Sequence, residues 1–160
     1  MIFVTVGSTD FDALIAAMDD WAATATEPVV MQIGEGVYLP RHAHAYFRFA
    51  PSLAPYYDQA EIVVSHGGLG TVVEVLQKGK RLIAVSNPDR YDTHQDEILR
   101  TFADSGYLVW CRELSRLPEE LARVRDMTFA PYEPPPCDIH TTIQRFLANR
   151  YRYKARPSNA

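Results

Sequence analysis

Five short runs of apolar, largely β-branched residues recur along the chain: IFVTV (2–6), VVMQI (29–33), IVVS (62–65), RLIAVS (81–86) and YLVWC (107–111). Runs that are apolar throughout, rather than at every second residue, suit strands covered on both faces, the environment of a parallel sheet. Between them lie segments with the 3.6-residue period of amphipathic helices. After Asp10, a residue able to cap a helix, Phe11, Leu14, Ile15 and Met18 fall on one face. YFRFA (46–50) alternates like a further strand and residues 53–60 suit a short helix. The next helix, 69–78, is stopped by Gly79, and others are expected from near Asp92 to 105, over 117–126 and over 139–148. Residues 34–45 lack periodicity and read as a mobile loop, while the prolines of APYEPPP enforce an extended crossing. Strand–helix alternation predicts an α/β fold, one doubly wound parallel sheet with helices on both faces.

A chain of 160 residues suits a single domain, here taken as residues 1–149 followed by a basic tail, 150–160. The net charge of −4 hides an asymmetry. Arg150, Arg152, Lys154 and Arg156 occupy the last eleven residues, and the other 149 carry 12 basic and 20 acidic side chains. An acidic body argues against nucleic-acid binding, so no such partner is expected. The tail reads either as a solvated terminus or as a contact to anionic lipid or a membrane-bound partner. No run reaches the roughly 20 apolar residues of a membrane span, and MIFVTVGS lacks the features of a secretory signal. Cys111 and Cys137 have no zinc or disulfide spacing, which points to a reduced, cytoplasmic chain.

In doubly wound sheets ligands lie beyond the carboxyl ends of the strands. That edge should gather Gly7–Asp10, the loop after Ile33, Ser65–Thr71 and Ser86–Gln95. The stretch SHGGLGT places Gly67, Gly68 and Gly70 between a strand and a helix, where free backbone N–H groups and the helix dipole favour phosphate. Close strand–helix packing would explain the same glycines. Neither GxxxxGK[ST] nor GxGxxG is present. Glu74, a helical turn further on, belongs either to an exposed stripe or to a ribose, whose diol a carboxylate can accept from. Asp92 and Gln95 have capping-box spacing, yet Gln95 and His94 also project from the ligand edge. Ser8 and Thr9 offer hydroxyls at a second helix start, with a simple cap as the alternative. No nucleophile elbow surrounds Ser65. His42 and His44 could form a metal pair, and His140 falls in a late helix.

Together VGST–FD–LI, QIGEG, FAPSL, SHGGLGT–E and the downstream HQ resemble the C-terminal, donor-binding half of GT-B glycosyltransferases of family 28. Within that family the pattern is similar to small stand-alone members. These are the soluble catalytic subunit of the two-part UDP-GlcNAc transferase of N-glycan assembly and the bacterial exopolysaccharide half-transferases. The resemblance covers roughly residues 1–105 and implies a Rossmann-like half of a GT-B fold binding a UDP-sugar. By it, Gly7, Ser8 and Thr9 face the diphosphate, the backbone of Ala50 reads uracil, and His66, Gly67, Gly68, Gly70 and Thr71 hold the diphosphate. Glu74 binds the ribose, and His94 and Gln95 contact the transferred sugar. No acceptor domain precedes Met1, so a separate membrane-anchored subunit is expected to bring a lipid-linked or glycan acceptor and the catalytic base. Residues 139–156 are the expected docking segment, and without that partner the open cleft could pair with itself. No metal or other cofactor is expected, because backbone amides can carry the charge. His66 is the only catalytic candidate within the chain. Two rival functions remain: a non-catalytic nucleotide-sugar-binding protein, and a self-sufficient UDP-sugar hydrolase or epimerase using His66 with Asp92.

Overall fold

Alternate residues of the apolar strands feed two separate cores. In the computed structural model, which describes residues 1–87, 94–136 and 139–154, six strands form one sheet. They are β1 (Ile2–Thr5), β2 (Val29–Gln32), β3 (Ala45–Phe47), β4 (Ile62–His66), β5 (Arg81–Val85) and β6 (Val109–Cys111). Every pairing is parallel and the order is β3-β2-β1-β4-β5-β6. The helices are α1 (Asp12–Ala22), α2 (Ala54–Gln59), α3 (Leu69–Gln77), α4 (His94–Asp104), α5 (Leu117–Arg123) and α6 (Ile139–Lys154). Ile2, Val4, Val64 and Ile83 face Leu14, Ile15 and Met18 of α1 and Leu117 and Leu121 of α5. Phe3, Val63 and Leu82 face Tyr57 of α2, Val72, Val75 and Leu76 of α3 and Leu99 of α4. The doubly wound sheet is therefore present. Asp92, Cys137 and the tail beyond Lys154, Arg156 included, lie outside the described residues, as do the side chains of His94 and His140.

Most boundaries move by only a few residues. The expected strand 46–50 shortens to Ala45–Phe47, because Arg48 turns back and donates to the carbonyls of Gly34 and Gly36 at 3.1 and 2.8 Å. The final helix runs on from 148 to Lys154. Gly79 ends α3 as expected. Its φ is +64°, and the paired bonds from Gly79 N to Leu76 O and from Lys80 N to Val75 O form a Schellman cap.

Two local expectations need correction. Asp10 does not cap α1: the N-cap position is Phe11, and no side chain caps that end. Nor is the loop after β2 loose. Asp12 accepts from the amides of Val37 and Tyr38 at 3.1 and 3.2 Å. The fully buried Asp19 accepts from the Tyr38 hydroxyl at 3.1 Å and from the amides of Arg41, His42 and Ala43 at 2.8–3.0 Å. Two carboxylates about two turns apart on one face of α1 thus replace the ladder bonds that an irregular segment lacks.

Tyr57 is fully buried on the α2/α3 side, edge-on to Phe3, and among the described residues its hydroxyl has no hydrogen-bond partner. Burial, and then the charge of Glu74, push its ionisation far up, so it stays neutral at any working pH. A buried donor without a partner costs stability. Tyr57→Phe is therefore expected to keep or raise the melting temperature, by up to about 3 °C. A fall of several degrees on thermal denaturation would show that the hydroxyl is satisfied after all.

Candidate functional site at the carboxyl edge

From β1 the chain winds through α1 to β2 on one side, and from β4 through α3 to β5 on the other. The ends of these adjacent strands diverge there, leaving the crevice in which doubly wound sheets hold ligands. Residues 7–10 bound it on one side and the turn from His66 into α3 on the other. The His66 ring fills the seam between them. A Cβ placed on Gly7, whose φ is +66°, would stand 2.9 Å from His66 Cε1, and one on Gly68 would collide with Nε2.

The three glycines of SHGGLG have three different surroundings. A Cβ on Gly67 would lie 2.5 Å from Leu99 Cδ1 and 2.9 Å from Gln95 Cγ, so Gly67 lets α4 close onto β4. Gly68 gives way to the His66 ring. Of the three, only Gly70 faces open space, with nothing among the described residues within 4 Å of a built Cβ. Close packing thus accounts for two glycines and, among the described residues, leaves the third unexplained. Gly68 is also the N-cap of α3 and has no side chain to offer, so the first-turn amides of Leu69, Gly70 and Thr71 stay uncapped at the positive end of the dipole.

In the first loop the free donors are fewer than the sequence suggests. The Gly7 amide is spent on Thr5 Oγ1 at 3.1 Å. Thr9 gives its hydroxyl proton to Val6 O at 2.9 Å and its amide reaches the same carbonyl at 3.4 Å. Ser8, exposed between them, has neither its amide nor its hydroxyl engaged among the described residues. Beneath this loop the polar pair Thr5 and Gln32 and the close approach of Gly34 set its shape, and none of the three was singled out from sequence. The available signal was a polar residue ending each of two otherwise apolar strands, and a glycine directly after VVMQI.

The remaining candidates spread along the same edge. The start of α4 is pinned to β5 and β6: Ser86 Oγ donates to Asp96 Oδ1 at 2.7 Å and accepts from Trp110 Nε1 at 2.8 Å. This sets Gln95 over Gly67, and His94 opens the same helix. Ala50 is half-buried in the segment after β3. Glu74 is exposed on α3 one turn beyond Gly70. His42 is drawn instead to Asp19, with Nδ1 3.4 Å from Oδ2. Among the described residues no three His, Cys, Asp or Glu side chains cluster as a metal site would require. Cys111 is buried, burial raises its thiol, and its Sγ sits 3.1 Å from Glu113 O, so it is not an activated nucleophile.

Residues 1–147 match the model of the glycosyltransferase family 28 C-terminal domain. The human UDP-N-acetylglucosamine transferase subunit ALG13 is 32% identical over 122 residues, which is 69% of this chain but 11% of that protein. The chain therefore spans about a tenth of that curated relative. Among solved structures, MurG of Acinetobacter baumannii superposes with a TM-score of 0.63 at 20% identity, over 78% of this chain and 41% of its own. The solution structure of ALG13 superposes with a TM-score of 0.59 at 19% identity, over 91% of this chain and 94% of its own. The superpositions show a shared fold, and the family model covers nearly the whole chain, so this chain belongs to the glycosyltransferase family 28 C-terminal domain family.

Proposed function

We propose that the chain is the donor-binding subunit of an inverting glycosyltransferase that uses a UDP-sugar. Its diphosphate would lie in the crevice between residues 7–10 and the start of α3. The observation that carries this reading is the open space above Gly70, beside the uncapped amides of Leu69, Gly70 and Thr71. An acceptor hydroxyl attacks the anomeric carbon, the glycosidic bond to the β-phosphate breaks, and UDP leaves with the bonding electron pair. The hydroxyl proton passes to a base on the acceptor-binding subunit. Negative charge grows on the departing diphosphate, where the α3 amides and the Ser8 amide stabilise it without a metal. Gly7, Thr9, Gly67 and Gly68 shape the walls, His66 and Thr71 line the diphosphate, Ala50 reads the base, Glu74 holds the ribose, and His94 with Gln95 meets the sugar.

Two features support a separate, membrane-associated partner carrying a lipid-linked acceptor. Val37, Leu39 and Phe49 on the loops after β2 and β3, and Leu69 at the start of α3, expose apolar surface, which suits cover by another protein. On α6, Ile139, Ile143, Phe146 and Leu147 are all exposed at spacings that share one helix face. Among the described residues no helix is long and apolar enough to cross a membrane.

Titration of UDP into wild type, Gly70→Ala and Glu74→Ala tests the site by calorimetry. Gly70→Ala should keep or slightly raise the melting temperature, since alanine favours a helix over glycine by about 0.5–1 kcal/mol. The methyl group would nevertheless stand where the diphosphate lies, and UDP affinity should fall at least about tenfold. Glu74→Ala should lose about 1–3 kcal/mol of UDP binding with no change in stability. Wild-type affinity in both variants would remove the diphosphate from this crevice.

A further inference from the structure

Strands β1, β2 and β4 are apolar until their last residues before the crevice. There Thr5 of β1 is fully buried and its register partner on β2, Gln32, is 5% exposed. Their hydrogen bonds close a ring around Gly7. The Gly7 amide donates to Thr5 Oγ1 at 3.1 Å, the Thr5 hydroxyl donates to Gln32 Oε1, and Gln32 Nε2 donates to Gly7 O at 3.0 Å. This ring also fixes which way round the Gln32 amide lies: Gly7 O can only accept and so must face the NH2, which leaves Oε1 to accept from the Thr5 hydroxyl.

Gly7 O and the Ser8 N–H belong to one planar trans peptide and point in opposite directions. Holding the carbonyl down into the sheet therefore aims the Ser8 N–H up into the crevice. A donor on that carbonyl also polarises the peptide and strengthens its N–H as a donor in turn. The positive φ of Gly7 is what lets the chain turn sharply enough for this.

Given the proposed donor site, we infer that Gln32, oriented by Thr5, is a positioning residue that aims and polarises the Ser8 N–H toward the leaving diphosphate. Neither side chain touches the nucleotide. Their effect passes through one peptide plane.

Gln32→Glu tests this with nearly unchanged shape. An ionised carboxylate would present lone pairs to Gly7 O and turn the peptide away, whereas a protonated one would again donate. Burial raises a carboxyl group's pKa, which brings this change into an accessible range. The ratio of variant to wild-type UDP dissociation constants should be about tenfold or more at pH 8 and approach unity near pH 5. Using the ratio cancels the titration of UDP itself. The Ser8 amide resonance of the unliganded variant should move with pH over the same range, while that of wild type stays put. A ratio that does not change with pH overturns the role of Gln32.

Thr5 supplies a second comparison should Gln32→Glu melt below the assay temperature. Thr5→Val should weaken UDP binding about tenfold, and Thr5→Ser, which restores the hydroxyl, should recover most of it. A purely structural role would lower the melting temperature of Thr5→Val and leave the affinity of the folded protein unchanged. Wild-type protein that binds no UDP overturns the donor-site reading itself. Wild-type binding with unresponsive variants overturns only the positioning role.

Discussion

Asp19→Ala should lower the melting temperature of the chain by about 9 °C, the equivalent of about 3 kcal/mol. The side chain is fully buried, and its two oxygens take the Tyr38 hydroxyl and three consecutive backbone amides. Alanine would leave those donors in an irregular segment with no alternative acceptor, and unsatisfied buried donors cost about 1–3 kcal/mol each. Burial by itself would raise the Asp19 carboxyl. The amides of Arg41 and His42, the Tyr38 hydroxyl and the Ala43 amide outweigh it and hold the group below its ordinary value of 3.8. Because the folded pKa is depressed, the unfolded chain takes up the proton first as pH falls. The stabilisation is thus complete above pH 3.8 and is lost as pH drops through the folded value. The gap between wild type and Asp19→Ala, followed by thermal denaturation, should narrow only in that acid range. Equal melting temperatures at neutral pH would show that the 38–43 segment is held by something else.

Gly34→Ala should cost about as much stability, about 3 kcal/mol, and should also weaken UDP binding. Gly34 is buried with φ +54°, and an added Cβ would collide with the carbonyl oxygen of Thr9 and stand 2.9 Å from that of Gly7. Both obstacles are backbone, so no rotamer change relieves them. The loop carrying Ser8 would have to move. Gly79→Ala is the control. It has the same left-handed backbone, φ +64°, with nothing within 4 Å, so it should pay only the conformational strain of about 1 kcal/mol and bind UDP normally. The difference in denaturation free energy between the two variants measures the clash. Equal costs would mean the two loops part without penalty.

The fold was legible because its signal is repetitive. Each strand is a short apolar run that must be covered twice, and only a parallel sheet flanked by helices does that for every run at once. Gly79 was readable for a similar reason, since few residues other than glycine end a helix in the left-handed region. Asp10 misled because a capping residue is recognised by type, whereas a cap forms only if the chain bends correctly there. The loop after β2 misled in the opposite sense. Its amides are satisfied by Asp12 and Asp19, which precede it by about twenty residues, and no local pattern records such pairing.

The site divides along the same line. Residue types alone marked where the chain could approach a ligand: the glycines after β4, Ser8 and Thr9 after β1, and Glu74 and Gln95 on the helices that follow. Which of those glycines makes room for the protein and which for something else depended on the neighbours of each missing side chain, Leu99 and Gln95 at Gly67, His66 at Gly68 and none at Gly70. Likewise the Gly7 amide was an apparent donor until Thr5 and Gln32 were seen to occupy both ends of its residue. Periodicity and residue type act over a few positions and determined the order of elements and the edge at which we propose the donor binds. Only the tertiary structure, by bringing β1, β2 and β4 side by side, decided which backbone groups remain free, because a hydrogen-bond donor's availability depends on what reaches it through space.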